Sequence, residues 1–274
     1  MSERGLMGTT AAASRRQPAI RLLASPAVAL VGVMLAATAG AIQGTVMTEN
    51  ETVTGDVKWH ARDKKYVIER GKVTKEFGLA DVTGLDIPKP AGYDKAVQAV
   101  ENGQGASAVA TLTKIVGDYR MLQWDKPAGR YLALAHLAAG NAQKAYDVCG
   151  PIIAGDKTAA YSGDLAAAYW QALLKLGKRE QLEGLLKKAA TSGDRPSSAA
   201  ALVMRGDIIV SSSNDAPEEL RKALRDGYMR VVLMYQDEAC ARERQEALAK
   251  AAACFDKLGQ AARAESLRAQ AKAM

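Results

Sequence analysis

Two patterns of hydrophobic and polar positions divide the chain. Between residues 42 and 87, apolar and polar positions alternate with a period of two, most clearly over 52–59. This alternation is typical of half-buried strands. It predicts strands near 52–59, 66–70, 73–77 and 82–87, with 42–47 as a candidate opening strand. Four or five short strands in residues 42–88 indicate a small β meander or an SH3-like open barrel.

From residue 93 onward the spacing of apolar residues changes to three and four, which is the period of amphipathic helices. Gly103, Gly140 and Gly177 follow one another at steps of 37 residues. Small or apolar residues recur five, nine and twelve positions after each glycine, and these offsets fall on one helix face. The pattern predicts helix pairs with the glycine in the turn, because glycine adopts a left-handed backbone at little cost.

The helical pattern continues with longer steps toward residue 274. Asn214 stands in the turn region of a fourth pair, and Gly259 in that of a fifth. Pro151 falls inside the second helix of the second pair and should kink or end it. The second helices are predicted to face the core through three positions each: Ala108, Leu112 and Ile115; Ala145, Cys149 and Ile152; Leu182, Leu186 and Ala189; Leu224, Tyr228 and Val231; Ala264, Arg268 and Ala271.

Residues 91–274 resemble a tetratricopeptide repeat (TPR) array of a degenerate, exported bacterial type. The resemblance depends on the small residue early in the second helix, as in Ala108, Ala145 and Ala264, with a larger residue four positions later. It implies stacked helix pairs whose first helices line a concave protein-binding face. The step of 37 departs from the usual period of about 34. The predicted fold is therefore a TPR-like α-solenoid of about five helix pairs, preceded by the small β module.

Residues 1–41 are predicted to be a signal peptide. Four arginines and one acid precede an uncharged run over 22–41, which ends in Ala39, Gly40 and Ala41. A basic start, an apolar run and a small-x-small ending are the three parts of a secretory signal. Cleavage is predicted after Ala41, and the predicted location is the periplasm or cell envelope of a bacterium. The alternative is an uncleaved membrane anchor, because 20 residues are enough to span a bilayer.

Composition and charge limit the remaining possibilities. The chain has 53 alanines and only 5% aromatic residues, which suits closely packed helices and argues against a β-sandwich or barrel as the main body. The formal net charge is +7, and four of the basic residues lie in 1–41. No block of lysines and arginines is interleaved with aromatics, so no nucleic acid partner is predicted.

Few residues are candidates for catalysis or ligand binding. Neither His60 nor His136 has partners at metal-ligand spacing, and the chain has no phosphate loop or nucleophile elbow. No enzyme activity, cofactor or metal is predicted. Cys149 is predicted to be a buried thiol. Cys240 and Cys254 could form a disulfide in an oxidising compartment, and two reduced buried thiols are the alternative.

Aromatic and basic residues are concentrated in the first half of the helical array. Tyr131, Tyr169, Trp170 and Arg130 are predicted to contact a protein or peptide, because these residue types are typical binding anchors. The predicted function is an exported, non-enzymatic protein-binding scaffold. One alternative is an envelope assembly subunit that associates with itself through the edges of the β module. A second is a cell-wall-associated accessory protein or hydrolase, which would need a convergent polar cluster in a cleft.

Overall fold

The computed structural model describes residues 42–274, and the predicted signal peptide, residues 1–41, lies outside the described residues. The chain first forms five strands from a segment rich in the β-branched residues that strands favour. Their bounds are Ile42–Thr48 (β1), Thr52–His60 (β2), Lys65–Arg70 (β3), Val73–Gly78 (β4) and Val82–Asp86 (β5). The predicted strands, including the opening one, are confirmed.

The strands form one antiparallel sheet in the order β4-β3-β2-β1-β5. The first four make a meander, and β5 returns to pair with β1. Val57 lies opposite Ile68 on β3, and Val53 lies opposite Val46 on β1. This register places Val46, Val57 and Ile68 on one face, where they are buried. Among the described residues, β4 and β5 are the two edges of the sheet.

The chain after the sheet is mainly helical and runs as pairs of consecutive helices. The helices are Tyr93–Glu101 (α1), Gly105–Asp118 (α2), Asp125–Ala138 (α3), Ala142–Gly155 (α4), Asp164–Lys175 (α5), Arg179–Ala190 (α6), Arg195–Ser211 (α7), Pro217–Ala223 (α8), Met229–Met234 (α9), Ala241–Lys257 (α10) and Ala261–Lys272 (α11). A single π-helical turn, Leu224–Tyr228, joins α8 to α9 into one continuous helix. Each pair packs on the next, so the described fold is a helical body with an antiparallel sheet at its N-terminal side.

The turns between paired helices have the backbone conformation that the glycine spacing predicts. Gly103, Gly140, Gly177 and Gly259 have φ of 77°, 76°, 69° and 69°. Asn214, in the turn of the fourth pair, has φ of 44°. A left-handed residue ends each first helix and lets the chain reverse, and only glycine and asparagine adopt it readily. The predicted turn residues are therefore confirmed in these pairs.

The second helices bury the predicted positions in the first four pairs. All twelve of these residues, from Ala108 to Val231, are buried. The prediction is wrong for Arg268 in the fifth pair, which is exposed and pairs with Asp256. Leu267 is buried in its place, Ala264 is buried as predicted, and Ala271 is half-buried.

Pro151 was predicted to kink or end its helix, and the helix does not end there. α4 continues for four residues beyond it, to Gly155. Pro151 and Asp147, whose carbonyl loses its helical partner at a proline, are both exposed. Water can therefore satisfy that carbonyl, and the helix tolerates the proline for one further turn.

The hydrophobic core is divided into clusters, and two of them meet along α7. One cluster joins the second and third helix pairs to Ala201 and Met204 of α7. The other joins Leu202 and Val203 of α7 to the fourth and fifth pairs. α7 thus contributes different sides to two cores, and the line between them is a seam in the packing.

A junction loop, residues 119–124, fastens the sheet to the helices. Leu122 is 2% exposed and packs in the core of the sheet. Its neighbours Met121 and Gln123 have φ of 60° and 74°. This left-handed conformation is unfavourable for residues other than glycine and asparagine. The strained backbone on both sides turns Leu122 toward the sheet, so this burial offsets the strain.

Hydrogen bonds on both sides of the loop hold it in place. The Tyr66 hydroxyl of β3 donates to the Met121 carbonyl at 3.0 Å. The backbone N–H of Ile87 donates to the Gln123 side chain at 3.2 Å, and the Trp124 indole donates to the Ile87 carbonyl at 2.8 Å. These bonds connect β3, the end of the sheet and the start of α3, and residues 42–274 belong to a single compact unit.

Candidate functional site

Tyr131 and Arg130, two of the four predicted contact residues, lie together on α3 and are half-buried. The Tyr131 ring packs edge-on against Tyr93 of α1, with ring centroids 6.4 Å apart. The Tyr131 hydroxyl donates to the Glu101 carboxylate of α1 at 3.1 Å. The Arg130 guanidinium stacks over the Tyr131 ring, 4.7 Å from its centroid. Within residues 42–274, no carboxylate lies within 4.0 Å of Arg130, so its charge is available to a partner.

The first helices of the pairs place further charged groups on the same side. Burial, and after it the neighbouring Tyr131 and Asp164, raise the pKa of Tyr93 to about 12. Asp164 begins α5, and α3 packs against both α1 and α5, so the first helices of the first three pairs lie side by side. The Arg242 guanidinium of α10 donates to the Asp164 carboxylate at 3.2 Å. We call this surface, defined by Tyr93, Arg130, Tyr131, Asp164 and Arg242, the first-helix face.

A cleft of about 220 Å³ opens on the first-helix face beside Asp164 and Arg242. Pro196 and Ala200 of α7 form part of its wall. Asp194 caps the start of α7 by accepting the backbone N–H of Ser197 at 3.2 Å. The cap and the Asp164–Arg242 ion pair hold the walls of the cleft in fixed positions.

Tyr169 and Trp170, the other two predicted contact residues, lie in the core instead. Trp170 is 0% exposed and its indole donates to the Ala160 carbonyl at 2.8 Å. Tyr169 is 5% exposed, stacks on Tyr146 with centroids 5.5 Å apart, and accepts a hydrogen bond from Gln181. Tyr169 thus packs α5 against α4 and α6, and Trp170 lies beneath the cleft beside Asp164, so neither side chain is exposed to a partner in this structure.

Tyr93 is a residue of the first-helix face that sequence reasoning missed. It precedes Arg130 by 37 residues, which is the repeat step of the first three pairs. Equivalent positions in successive pairs occupy equivalent places on the surface. The repeat step therefore contained the information needed to place Tyr93 beside Arg130 and Tyr131.

The two buried carboxylates among the described residues have structural partners. Asp125 is 1% exposed and accepts the backbone N–H groups of Met121 and Lys126 at 2.8 and 3.0 Å. It therefore stabilises the junction loop and the first turn of α3. Glu243 is 3% exposed and pairs with Arg242 at 2.6 Å. Burial raises the pKa of Asp125, against the hydrogen bonds that lower it.

A second cleft, of about 460 Å³, lies where the sheet meets the helices. Tyr66 and Leu85 of the sheet form one wall, and Asp125 and Lys126 of α3 form the other. Lys126 closes one side through an ion pair with Asp156 at 2.5 Å. The polar groups of this cleft are thus engaged with one another across the junction.

The three cysteines are free and buried. Burial raises the pKa of the Cys149 thiol to about 12 and that of the Cys240 thiol to about 11. Cys240 and Cys254 belong to the same hydrophobic cluster. A disulfide between them stays a prediction, and in the structure both are reduced thiols of low reactivity.

Other candidate chemistry is sparse in the part of the chain that the structure describes. His60 is exposed at the end of β2 and His136 is half-buried on α3, where burial and then Lys144 lower its pKa. In residues 42–274, no three His, Cys, Asp or Glu side chains converge as a metal site. Across the same range, no helix has the length and apolar character needed to span a membrane.

Comparison with known proteins assigns no family to the chain. No family model, no curated protein and no solved structure matches it.

Proposed function

We propose that the protein is an exported, non-enzymatic scaffold that binds a protein or peptide through its first-helix face. The observation that carries this proposal is the group of half-buried Tyr93, Tyr131 and Arg130, with a guanidinium that no carboxylate of residues 42–274 neutralises. Tyrosine and arginine in partly buried positions supply much of the binding energy at protein interfaces.

The helical architecture supports a TPR-like α-solenoid as the basis of this surface. Five consecutive helix pairs, with left-handed residues in their turns, pack one on the next. In a solenoid the equivalent helices of successive repeats line a continuous surface. Tyr93, Arg130 and Asp164 stand on three successive first helices, as such a surface requires.

The chemistry of the face favours a partner segment with an acidic group beside an apolar or aromatic one. Arg130 would receive the carboxylate, because its guanidinium is already held over the Tyr131 ring and loses little freedom on binding. The rings of Tyr93 and Tyr131, held edge to face, would receive the apolar group. Asp164 is already paired with Arg242, so its main role would be to hold the walls of the adjacent cleft in place.

The structural roles of the buried carboxylates support a binding rather than a catalytic function. Asp125 caps the junction and Glu243 neutralises Arg242, so each has a stabilising role that explains its burial. A catalytic acid or base would instead be directed at a substrate site. The engagement of these groups with the fold is what favours the scaffold.

Site-specific photo-crosslinking tests the proposal in cells that produce the protein. A photoreactive phenylalanine analogue replaces Tyr131 in one sample and Tyr161 in another. Tyr161 is a matched control, because it is also half-buried but lies beside Lys188 of the second helix α6. We expect a discrete adduct from position 131 and none from position 161, and we expect Arg130→Ala to weaken the adduct while Lys188→Ala does not.

The masses of the products distinguish the possible outcomes. An adduct heavier by the mass of another protein supports the scaffold. The uncrosslinked fraction of this protein gives its mature N-terminus, which we expect at Ile42. An adduct of twice the chain mass would favour the self-associating subunit. Equal adducts from both positions, or none from either, would contradict the first-helix face as a binding surface.

A further inference from the structure

The seam between the two helical cores opens on the surface as a groove. The groove has a volume of about 440 Å³ and lies between α6, α7 and the π-helical turn with α9. Pro196 and Arg205 on α7 are nine residues, or about two and a half turns, apart and so point to opposite sides of this helix. Arg205 lines the groove and Pro196 lines the cleft of the first-helix face. The two surfaces are therefore separate, and this inference does not depend on the proposed function.

The floor of the groove is apolar and is shared by both cores. Leu186 of α6 is 2% exposed, and Ile208 and Ile209 of α7 are half-buried. Ile208 packs with the cluster of the second and third pairs, and Ile209 packs with the cluster of the fourth and fifth pairs. Apolar surface thus remains partly accessible where the two cores fail to merge.

The rim of the groove is basic. Lys187, Arg205 and Arg230 line it and are exposed, and none of the three has a carboxylate within 4.0 Å among residues 42–274. Two acidic residues, Glu183 and Asp226, also line the groove.

One of these acids is already neutralised within the fold. The Asp226 carboxylate receives two hydrogen bonds from the Arg225 guanidinium, at 2.8 and 3.0 Å. The Arg225 hydrogen bond holds the pKa of Asp226 below its usual range, and the charge of Arg230 lowers it further. The groove therefore presents an excess of positive charge around an apolar floor.

We propose that this seam groove binds an acidic amphipathic helix of a partner protein. Leucine-type side chains on one face of the helix would cover the exposed parts of Ile208 and Ile209, above the buried Leu186. Glutamates or aspartates flanking that face would pair with Arg205 and Arg230, which stand on different elements of the rim. An amphipathic helix in a groove uses anchors at spacings of three and four, and the charge pattern selects acidic over basic partners.

Two peptides of opposite charge test the proposal on the chain from residue 42. Each is about 14 residues long, with leucines along one helical face and either glutamates or lysines elsewhere. Binding is followed by fluorescence anisotropy of a labelled peptide at low and moderate salt. We expect saturable binding of the glutamate peptide, weakening with salt, and at least about tenfold weaker binding of the lysine peptide.

Charge reversal locates the binding site. Arg205→Glu with Arg230→Glu should weaken the glutamate peptide by about tenfold or more and strengthen the lysine peptide. The matched control, Arg62→Glu with Arg263→Glu, makes the same change in net charge on exposed arginines away from the groove and should leave both affinities within about twofold. Circular dichroism of all variants checks that they remain folded.

Several results would overturn the proposal. No saturable binding of the glutamate peptide below about 1 mM would do so, since that affinity corresponds to only about 4 kcal/mol. Equal weakening by the groove and control pairs would show attraction by net charge alone. Binding of anionic phospholipid vesicles that depends on Arg205 and Arg230, without peptide binding, would assign the groove to a membrane surface instead.

Discussion

The first three helix pairs and the fourth use glycine in different places. In the first three, glycine occupies the left-handed turn of each pair, at Gly103, Gly140 and Gly177. In the fourth, Asn214 occupies the turn, and two helix glycines, Gly206 and Gly227, meet across the pair. A Cβ added to Gly227 in the π-helical turn would lie 2.8 Å from the backbone of Gly206 in α7. The turn glycines set the direction of the chain, whereas Gly206 and Gly227 let two helix backbones touch.

A polar network accompanies the close contact in the fourth pair. The Tyr228 hydroxyl donates to the Asp207 carboxylate at 2.8 Å, and Lys250 of α10 donates to the same carboxylate at 2.6 Å. Burial lowers the pKa of Lys250, but the charges of Asp207 and Glu246 outweigh it and leave the pKa raised. The regular pairs are held mainly by side-chain packing, whereas the fourth pair also depends on this network. The π-helical turn supplies the shape that brings Tyr228 over Gly206.

The largest expected effect is that of a single methyl group at the backbone contact. Gly227→Ala should lower the free energy of unfolding by about 3 kcal/mol, because the Gly206 backbone cannot move aside as a flexible side chain would. The measurement is urea unfolding followed by circular dichroism. Gly184→Ala on α6 is the matched control, since nothing lies within 4 Å of its added Cβ, and it should stabilise the protein by about 0.5 kcal/mol. Equal effects at the two positions would contradict the close backbone contact.

The next effect tests the polar network against an ordinary surface pair. Asp207→Ala should cost about 2 kcal/mol, because it leaves the buried Tyr228 hydroxyl and the Lys250 ammonium without their shared acceptor. Asp118→Ala breaks the exposed Lys114–Asp118 pair of α2 and should cost less than about 0.5 kcal/mol. The measurement is again the free energy of unfolding, and Asp207→Asn should recover part of the loss. A cost at Asp207 no greater than that at Asp118 would show that the network is dispensable.

The sequence predicted much of the regular region because local rules determine it. Strand alternation, helix periodicity and the repeated glycine each depend on residues near one another in the chain. The same reasoning located Arg130 and Tyr131 on one helix. It found Asn214 as the turn of the fourth pair because asparagine shares the tolerance of glycine for a left-handed backbone.

The features that sequence reasoning missed depend on distant contacts. Trp170 and Tyr169 were predicted as surface anchors, but both lie on the sides of α5 that the neighbouring elements cover. Gly206 and Gly227 meet only because of the π-helical turn, which no spacing in the sequence announces. The role of Leu122 follows from a strained loop that the sheet stabilises. In each case the decisive partner lies far away in the chain.

The stability of the protein at alkaline pH compares a buried tyrosine of the regular pairs, Tyr169, with one of the fourth pair, Tyr228. Burial raises the pKa of Tyr169 to about 12, and burial with the Asp207 charge raises that of Tyr228. The folded state therefore keeps these protons longer than the unfolded chain, whose tyrosines titrate near pH 10. Their stabilising contribution is complete below about pH 10 and is lost as the pH rises toward about 12.

Phenylalanine substitutions test this dependence. Above about pH 10, Tyr228→Phe or Tyr169→Phe should each flatten the fall of unfolding free energy by up to about 1.4 kcal/mol per pH unit. At neutral pH, Tyr228→Phe should cost about 1 kcal/mol, because Asp207 loses a donor. Tyr169→Phe should cost less, because its donor Gln181 is exposed and can turn to water. Urea unfolding at about pH 7, 10 and 11 gives the slope of unfolding free energy against pH. Slopes that are the same in the variants and the unsubstituted protein would contradict the burial of both hydroxyls.

The smallest effect comes from the turns of the regular pairs. Gly140 has φ of 76° and nothing within 4 Å of an added Cβ, so Gly140→Ala changes backbone strain and no packing. It should cost about 1 kcal/mol, and Gly140→Asn should cost less, because asparagine tolerates the left-handed region. In the fourth pair, Asn214→Gly should be neutral or slightly stabilising for the same reason. If Gly140→Ala were as costly as Gly227→Ala, the turns and the helix contact would not differ as the structure indicates. If it were free of cost, the repeated glycine would not be a conformational requirement, and the 37-residue step would need another cause.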